Sequence, residues 1–146
     1  MNTLYYFAYG MLTDPDIMSD GDFIGDGILQ NHMFEFRQFA NVIESSGSSV
    51  RGVVWEITPD MLSYLDEIEG YPNFYTRVKV NVRTKIGVVK AEMYTMTAAA
   101  IRSIPPAPPT KKYLRSLYSG YSHAGISTAQ IQKAIDELHR MYIKRR

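Results

Sequence analysis

Between residues 65 and 78, LDEIEGYPNFYTRV, the chain changes its hydrophobic period from that of a helix to that of a strand. Upstream, apolar residues fall at Met61, Leu62, Leu65 and Ile68. Downstream, Val78, Val80 and Val82 alternate with Arg77, Lys79, Asn81 and Arg83. The first pattern buries one stripe of a helix and the second one face of a strand, so the two cannot be one element. Thr58 as N-cap, Pro59 at the first helical position and Asp60 in the first turn mark where the helix starts. Gly70 and Pro72 stop it. Gly70 is the natural residue just beyond the cap, which puts Glu69 at the helix C-terminus.

That end is acidic. Asp66, Glu67 and Glu69 crowd into four positions, at the negative pole of the helix dipole. The field of the two neighbours raises the Glu69 pKa, and desolvation would raise it further if the side chain turned inward. A carboxylate held near neutrality is a useful general base. A solvated helix end is the plain alternative, since structural charge clusters also perturb pKa values.

The other segments read in order as strands first and helices last. Residues 4–8 (LYYFA) form a short apolar run suited to a strand buried on both faces, ending at Tyr9-Gly10. Asp14-Pro15 predicts a brief helical turn closing by Gly21. Phe34, Phe36 and Phe39 predict a strand or two, and residues 44–49 (ESSGSS) a polar loop. Val53, Trp55 and Ile57 alternate into the helix at Pro59. A turn at residues 85–87 returns the Val78 strand through Val89, Ala91 and Met93 as a hairpin. Residues 104–110 (IPPAPPT) are too rich in proline for helix or central strand and predict a rigid crossing loop. One helix then carries Tyr113, Leu114, Leu117, Tyr118 and Tyr121 and ends by Gly125. Another, capped by Ser127, places Ile131, Ala134, Ile135, Leu138 and Met141 on one face. This order predicts an α+β fold, one domain over residues 1–146.

Composition removes several function classes. A formal net charge of +1 gives no electrostatic reason for nucleic acid, and the basic C-terminus, Arg140 and Lys144 to Arg146, reads as a solvated helix end. With no cysteine there is no disulfide, thiolate nucleophile or thiolate-bound zinc. No apolar run is long enough to span a bilayer and no signal core is visible, so the expectation is a soluble cytoplasmic protein without membrane partners. His32, His123 and His139 lack metal-ligand spacing, and Gly21, Gly25 and Gly27 do not form a nucleotide-binding fingerprint. Residues 120–125 (GYSHAG) carry one residue too many for a nucleophile elbow and follow a helix rather than a strand. Of the eleven tyrosines, Tyr9, Tyr75 and Tyr113 adjoin irregular stretches, where a ring can wall a pocket and a hydroxyl can bond a ligand.

YFAYGML at 6–12, GVVWEI at 52–57, LDEIEG at 65–70, Tyr75, APPTKKY at 107–113 and the Gly-Ile pair at 125–126 resemble the γ-glutamylcyclotransferases, in that family's order and rough spacing. The resemblance implies a small mixed β-barrel flanked by helices, with its pocket at the barrel mouth. It implies cleavage of a γ-glutamyl amide by the substrate's own α-amine, releasing 5-oxoproline and a free amine or amino acid, without cofactor or metal. It assigns the general base and acid to Glu69. It assigns binding of the glutamyl part to Tyr9, Gly10, Met11 and Leu12, largely through backbone N–H groups, with Tyr75 and Tyr113 also lining the site. Many members read YGSN where this chain reads Tyr9-Gly10-Met11-Leu12; others read YGTL, which Leu12 matches. A non-catalytic binding domain of the same fold is the competing expectation, and oligomeric state, a homodimer included, is left open.

Overall fold

Leu4–Ala8 (β1) is bonded on both edges, antiparallel to Phe39–Ile57 (β3) and parallel to Gly87–Met96 (β5). Asp22–Arg37 (β2) pairs with β3 as a long hairpin, and Tyr75–Thr84 (β4) pairs with β5 as a second one. Gly27 and Ile28 of β2 meet Thr84 and Arg83 of β4, which closes a mixed barrel in the order β1-β3-β2-β4-β5. A closed sheet has no free edges along its seam, so the apolar run of β1 can be fully enclosed. The computed structural model describes residues 3–144.

The helix before the acidic cluster runs Pro59–Ile68 (α1), and the Thr58 hydroxyl accepts from the Met61 N–H at 3.2 Å. Gly70 takes the left-handed conformation, φ 67°, that a side chain would disfavour. The Tyr71 N–H then reaches the Asp66 carbonyl and the Gly70 N–H the Glu67 carbonyl, a Schellman closure. The β4–β5 hairpin turns at residues 85–87 as its alternation predicts. Lys111–Ala124 (α3) is capped by Thr110 and ends at Gly125, and Ala129–Lys144 (α4) follows, with the Ser127 hydroxyl accepting from the Ala129 N–H. Arg145 and Arg146 of the basic terminus lie outside the described residues. Leu117, Tyr121 and Ile131 of these two helices are completely buried, like Phe7, Val53, Val54, Val82 and Met93 of the sheet. Among the described residues no helix is long and apolar enough to cross a membrane.

One local expectation is corrected, and two short elements add to the reading. Residues 44–49 are strand throughout, but the β2–β3 register slips there, from Gln30↔Ser49 to His32↔Glu44. The polar run is thus absorbed as an irregularity within a hairpin instead of forming a loop between strands. Asp14-Pro15 opens the brief turn expected there, the Asp14 carbonyl accepting from the Ile17 and Met18 N–H groups and its carboxylate from the Asp16 N–H, and a single 3₁₀ turn at Met11–Thr13 precedes it. A short helix at Ala98–Ser103 (α2), capped by Thr97, precedes the proline run. Six residues are too few to display a helical period.

Candidate active site

The loop after β1 has its carbonyls occupied, while the N–H groups of Gly10 and Leu12 stay free. The Tyr9 carbonyl accepts from the Tyr121 hydroxyl at 2.7 Å, and the Gly10 carbonyl from both the N–H and the hydroxyl of Thr13. The Met11 carbonyl accepts from the Asp14 N–H, and the Leu12 carbonyl from the Trp55 indole at 3.0 Å. Among the described residues the N–H groups of Gly10 and Leu12 donate to nothing, and the Met11 N–H faces only the Tyr113 hydroxyl. A turn held rigid through its carbonyls and presenting successive N–H groups is suited to an anionic oxygen. Leu12 buries its side chain in the core, at 4% exposure, while Met11 stays at the surface, so the loop has no polar side chain to offer at these two positions.

Glu69 occupies the C-cap of α1 and lines the same cavity as Gly10, Met11 and Leu12. Desolvation pushes its carboxyl from the ordinary 4.5 up to about 7, and its side chain accepts no hydrogen bond among the described residues. The cause is narrower than the sequence suggests. Asp66 is turned away, ion-paired with Arg77 and accepting from the Tyr94 hydroxyl at 2.6 Å. Partial burial opposes ionisation of Asp66, yet the Arg77 and Tyr94 bonds outweigh it and hold its carboxyl below the usual range. Arg77 also lies 3.4 Å from Glu92 and sits over the Tyr71 ring. Glu67 is exposed to solvent. Burial, rather than the neighbouring acids, sets the Glu69 proton affinity.

The three singled-out tyrosines all line this cavity, but their hydroxyls differ. Tyr9 donates to the Tyr94 carbonyl at 2.6 Å and Tyr75 to the Ala40 carbonyl at 2.8 Å, so both contribute walls with their protons engaged. Tyr113 instead accepts, from the Ala40 N–H at 3.0 Å, which leaves its O–H free to donate. Burial pushes its phenol up to about 12, with the Ala40 and Met11 N–H groups pulling the other way and Glu69 adding to the rise. It stays a proton donor at neutral pH.

The cavity holds about 210 Å³, at the end of the barrel where β5 runs out and β4 begins. Tyr6, Phe39, Ile68, Phe74 and Tyr94 also line it, and sequence reasoning did not single them out. Tyr6 is buried, and the Glu69 charge adds to the desolvation that raises its phenol far above the ordinary value. Its place in an apolar strand gives no hint of this, because a period-two pattern does not say which face meets the site. Ile68 carried the one available signal, adjacency to Glu69. Among the described residues no three side chains of the His, Asp or Glu type converge as a metal site.

A family model described as gamma-glutamyl cyclotransferase, AIG2-like, matches residues 6–115. A Mus musculus protein named gamma-glutamylcyclotransferase is 31% identical over 130 residues, covering 77% of this chain and 68% of that protein. The Bos taurus protein of the same name is 38% identical over 77 residues, 51% of this chain. The match spans 40% of the bovine protein, well under two thirds of its length. A solved structure named gamma-glutamyl cyclotransferase superposes with a TM-score of 0.78 at 24% identity, over 91% of this chain and 86% of that one. At that identity the likeness bears on the fold.

Proposed function

This chain belongs to the gamma-glutamyl cyclotransferase, AIG2-like family, and from that premise we propose that it cleaves γ-glutamyl amides by intramolecular cyclisation. The observation that carries the reading is a carboxyl with a pKa of about 7 in one cavity with N–H groups that have no acceptor. Glu69 takes a proton from the substrate's α-ammonium. The freed amine attacks the γ-carbonyl carbon, closing a five-membered ring, and the oxyanion that forms faces the loop of Gly10, Met11 and Leu12. The amide C–N bond then breaks as Glu69 gives its proton to the leaving nitrogen; Glu69 takes the second proton from the ring nitrogen and passes it on to the departing amine, so the products are 5-oxoproline and the amine in its ammonium form. One group serves as base and acid because its two forms are near equal in population at neutral pH.

Both reacting groups belong to one substrate molecule, so the site has only to fold that molecule correctly. The pocket is smaller than the usual few hundred Å³ of drug-sized sites, which suits one glutamyl unit. Tyr9 and Tyr75 wall it, and Tyr113 is positioned to donate a hydrogen bond to the glutamyl half. Met11 and Leu12 in place of the serine and asparagine of many members are compatible with a loop acting through its backbone.

The test is incubation with γ-glutamyl amino acids, γ-glutamylamines and glutathione, followed by assay of 5-oxoproline. Release by the native chain and not by Glu69→Gln supports the enzyme. Ligand binding to both with product from neither would establish the non-catalytic binding domain instead.

A further inference from the structure

We propose that Gln130 of α4 is a positioning residue for the site loop, its side-chain amide standing on β3 where Gly10 would pair if β1 ran on. Gln130 thereby keeps the Gly10 N–H turned to the cavity; the consequence for turnover rests on the γ-glutamyl amide reading above. The β1–β3 register ends at Ala8↔Val53, and two further residues along each strand would set Gly10 opposite Arg51. On its other side Arg51 has Ile28 of β2, so the edge left open there is the one β1 would have covered. Gln130 covers it instead. The Arg51 N–H donates to the Gln130 Oε1 at 2.8 Å, and the Arg51 carbonyl accepts from the Gln130 Nε2 at 2.7 Å. Those two bonds are the pair that a residue of an antiparallel strand exchanges with its partner. One side chain thus satisfies the β3 edge at the point where β1 stops. Gly10 has moved to the cavity side, where a Cβ built on it would lie 2.9 Å from the Tyr113 hydroxyl oxygen and 3.1 Å from the Ala40 Cβ.

The same amide reaches the loop by a second route. Its Nε2 also donates to the Tyr121 hydroxyl at 2.6 Å, and that hydroxyl donates to the Tyr9 carbonyl at 2.7 Å. A hydroxyl that accepts from Gln130 has its own proton directed at Tyr9, and bonds in such a chain strengthen one another. Tyr121 is completely buried, so its ring has no room to swing away. Tyr121 and Gln130 both lie beyond residues 6–115, the span matched by the family model, so this hold on the loop comes from the last two helices. Without the Gln130 amide the two backbone groups of Arg51 lose their partners. The register then offers them the Gly10 N–H and carbonyl, and β1 lengthens at the expense of the donor facing the cavity.

Amide hydrogen exchange at Gly10, read by NMR on the full chain, tests this without any substrate. Gln130→Met keeps the length of the side chain and removes its polar atoms. Exchange at Gly10 is expected to slow at least about tenfold in the variant, as its N–H bonds the Arg51 carbonyl. Loosening of the fold would speed exchange, so a slower rate is a sign that a merely structural role does not give. Unchanged or faster exchange at Gly10 in folded Gln130→Met overturns the proposal. Should that variant not fold, Gln130→Glu, which keeps the acceptor for the Arg51 N–H and loses both donors, is held to the same two outcomes. Turnover reads the link to the site. In the variant kcat for a γ-glutamyl amide should fall at least about tenfold, in line with loss of one oxyanion donor. The acid limb should stay near pH 7, because Glu69 is untouched. An unchanged kcat beside a protected Gly10, or a displaced limb, overturns the assignment of Gln130 to the loop donors. If the native chain releases no 5-oxoproline, the cyclotransferase reading fails, and exchange at Gly10 alone decides the positioning role.

Discussion

The Tyr113 hydroxyl oxygen lies where a side chain on Gly10 would begin: a Cβ built there would sit 2.9 Å from it and 3.1 Å from the Ala40 Cβ. Helix α3 and the β1 loop thus meet at a point with no room for a methyl group. Gly10→Ala is expected to destabilise the fold by about 1–3 kcal/mol through overpacking. In a Tyr113→Phe background the same change should cost measurably less, because the crowding oxygen is gone. A double-mutant cycle by urea denaturation checks the coupling; strict additivity would show that the two residues do not press on each other.

Glu69 should make stability and activity respond to pH in opposite senses. Its folded pKa of about 7 lies above the ordinary 4.5, so folding favours the protonated form. Its contribution is fully present below about 4.5 and is lost as pH rises through about 7. Glu69→Gln is therefore expected to melt higher than the native chain at pH 8, by the equivalent of about 1–3 kcal/mol, with the difference closing toward pH 4. Melting curves of both proteins across that range decide it.

Catalysis runs the other way. The base form of Glu69 accumulates as pH rises through about 7, so kcat/KM for a γ-glutamyl amide should climb with an acid limb near that value. In Glu69→Gln 5-oxoproline release should fall by at least about a hundredfold, the lower range for loss of a general acid–base group. A pH–rate profile with no limb between pH 6 and 8 would remove Glu69 from proton transfer.

Arg77 keeps Asp66 from acting on Glu69. With Arg77→Met the Asp66 carboxylate loses its cation three residues from Glu69, and its uncompensated charge should move the acid limb to higher pH. Because the native pairing holds the Asp66 pKa down, the stability it confers is present above the ordinary carboxylate value and lost as pH falls. Arg77→Met should therefore cost about 1–2 kcal/mol near pH 7 and little near pH 3. Denaturation at both pH values and a rate profile read the two effects separately.

Leu12 tests whether the loop can take a polar residue in the core. It is buried at 4% exposure, and its carbonyl accepts from the Trp55 indole. Leu12→Asn removes apolar contacts and buries an amide without partners, so a loss of about 2–4 kcal/mol is expected. An asparagine tolerated at no cost, measured by urea denaturation, would mean the loop is looser than its hydrogen bonds indicate.

What the sequence determined by itself was whatever a few neighbouring residues decide. Thr58, Pro59 and Gly70 bracket α1 because caps act within a turn, and they placed Glu69 at the helix end without any tertiary information. The alternation of Val78, Val80 and Val82 likewise read directly as the observed hairpin. Tertiary structure decided the rest. The Tyr9 and Tyr94 partnership spans 85 residues of chain and the Tyr121 and Tyr9 one 112, and those bonds determine which groups of the loop stay free. No local pattern encodes a partner that distant. The same holds for the Glu69 proton affinity: the sequence put three acids together, but the fold drew Asp66 to Arg77 and half-buried Glu69 in the cavity wall, so partial solvent exclusion sets its value. Local sequence fixes where a side chain sits along its own element, and only the closed barrel fixes what surrounds it.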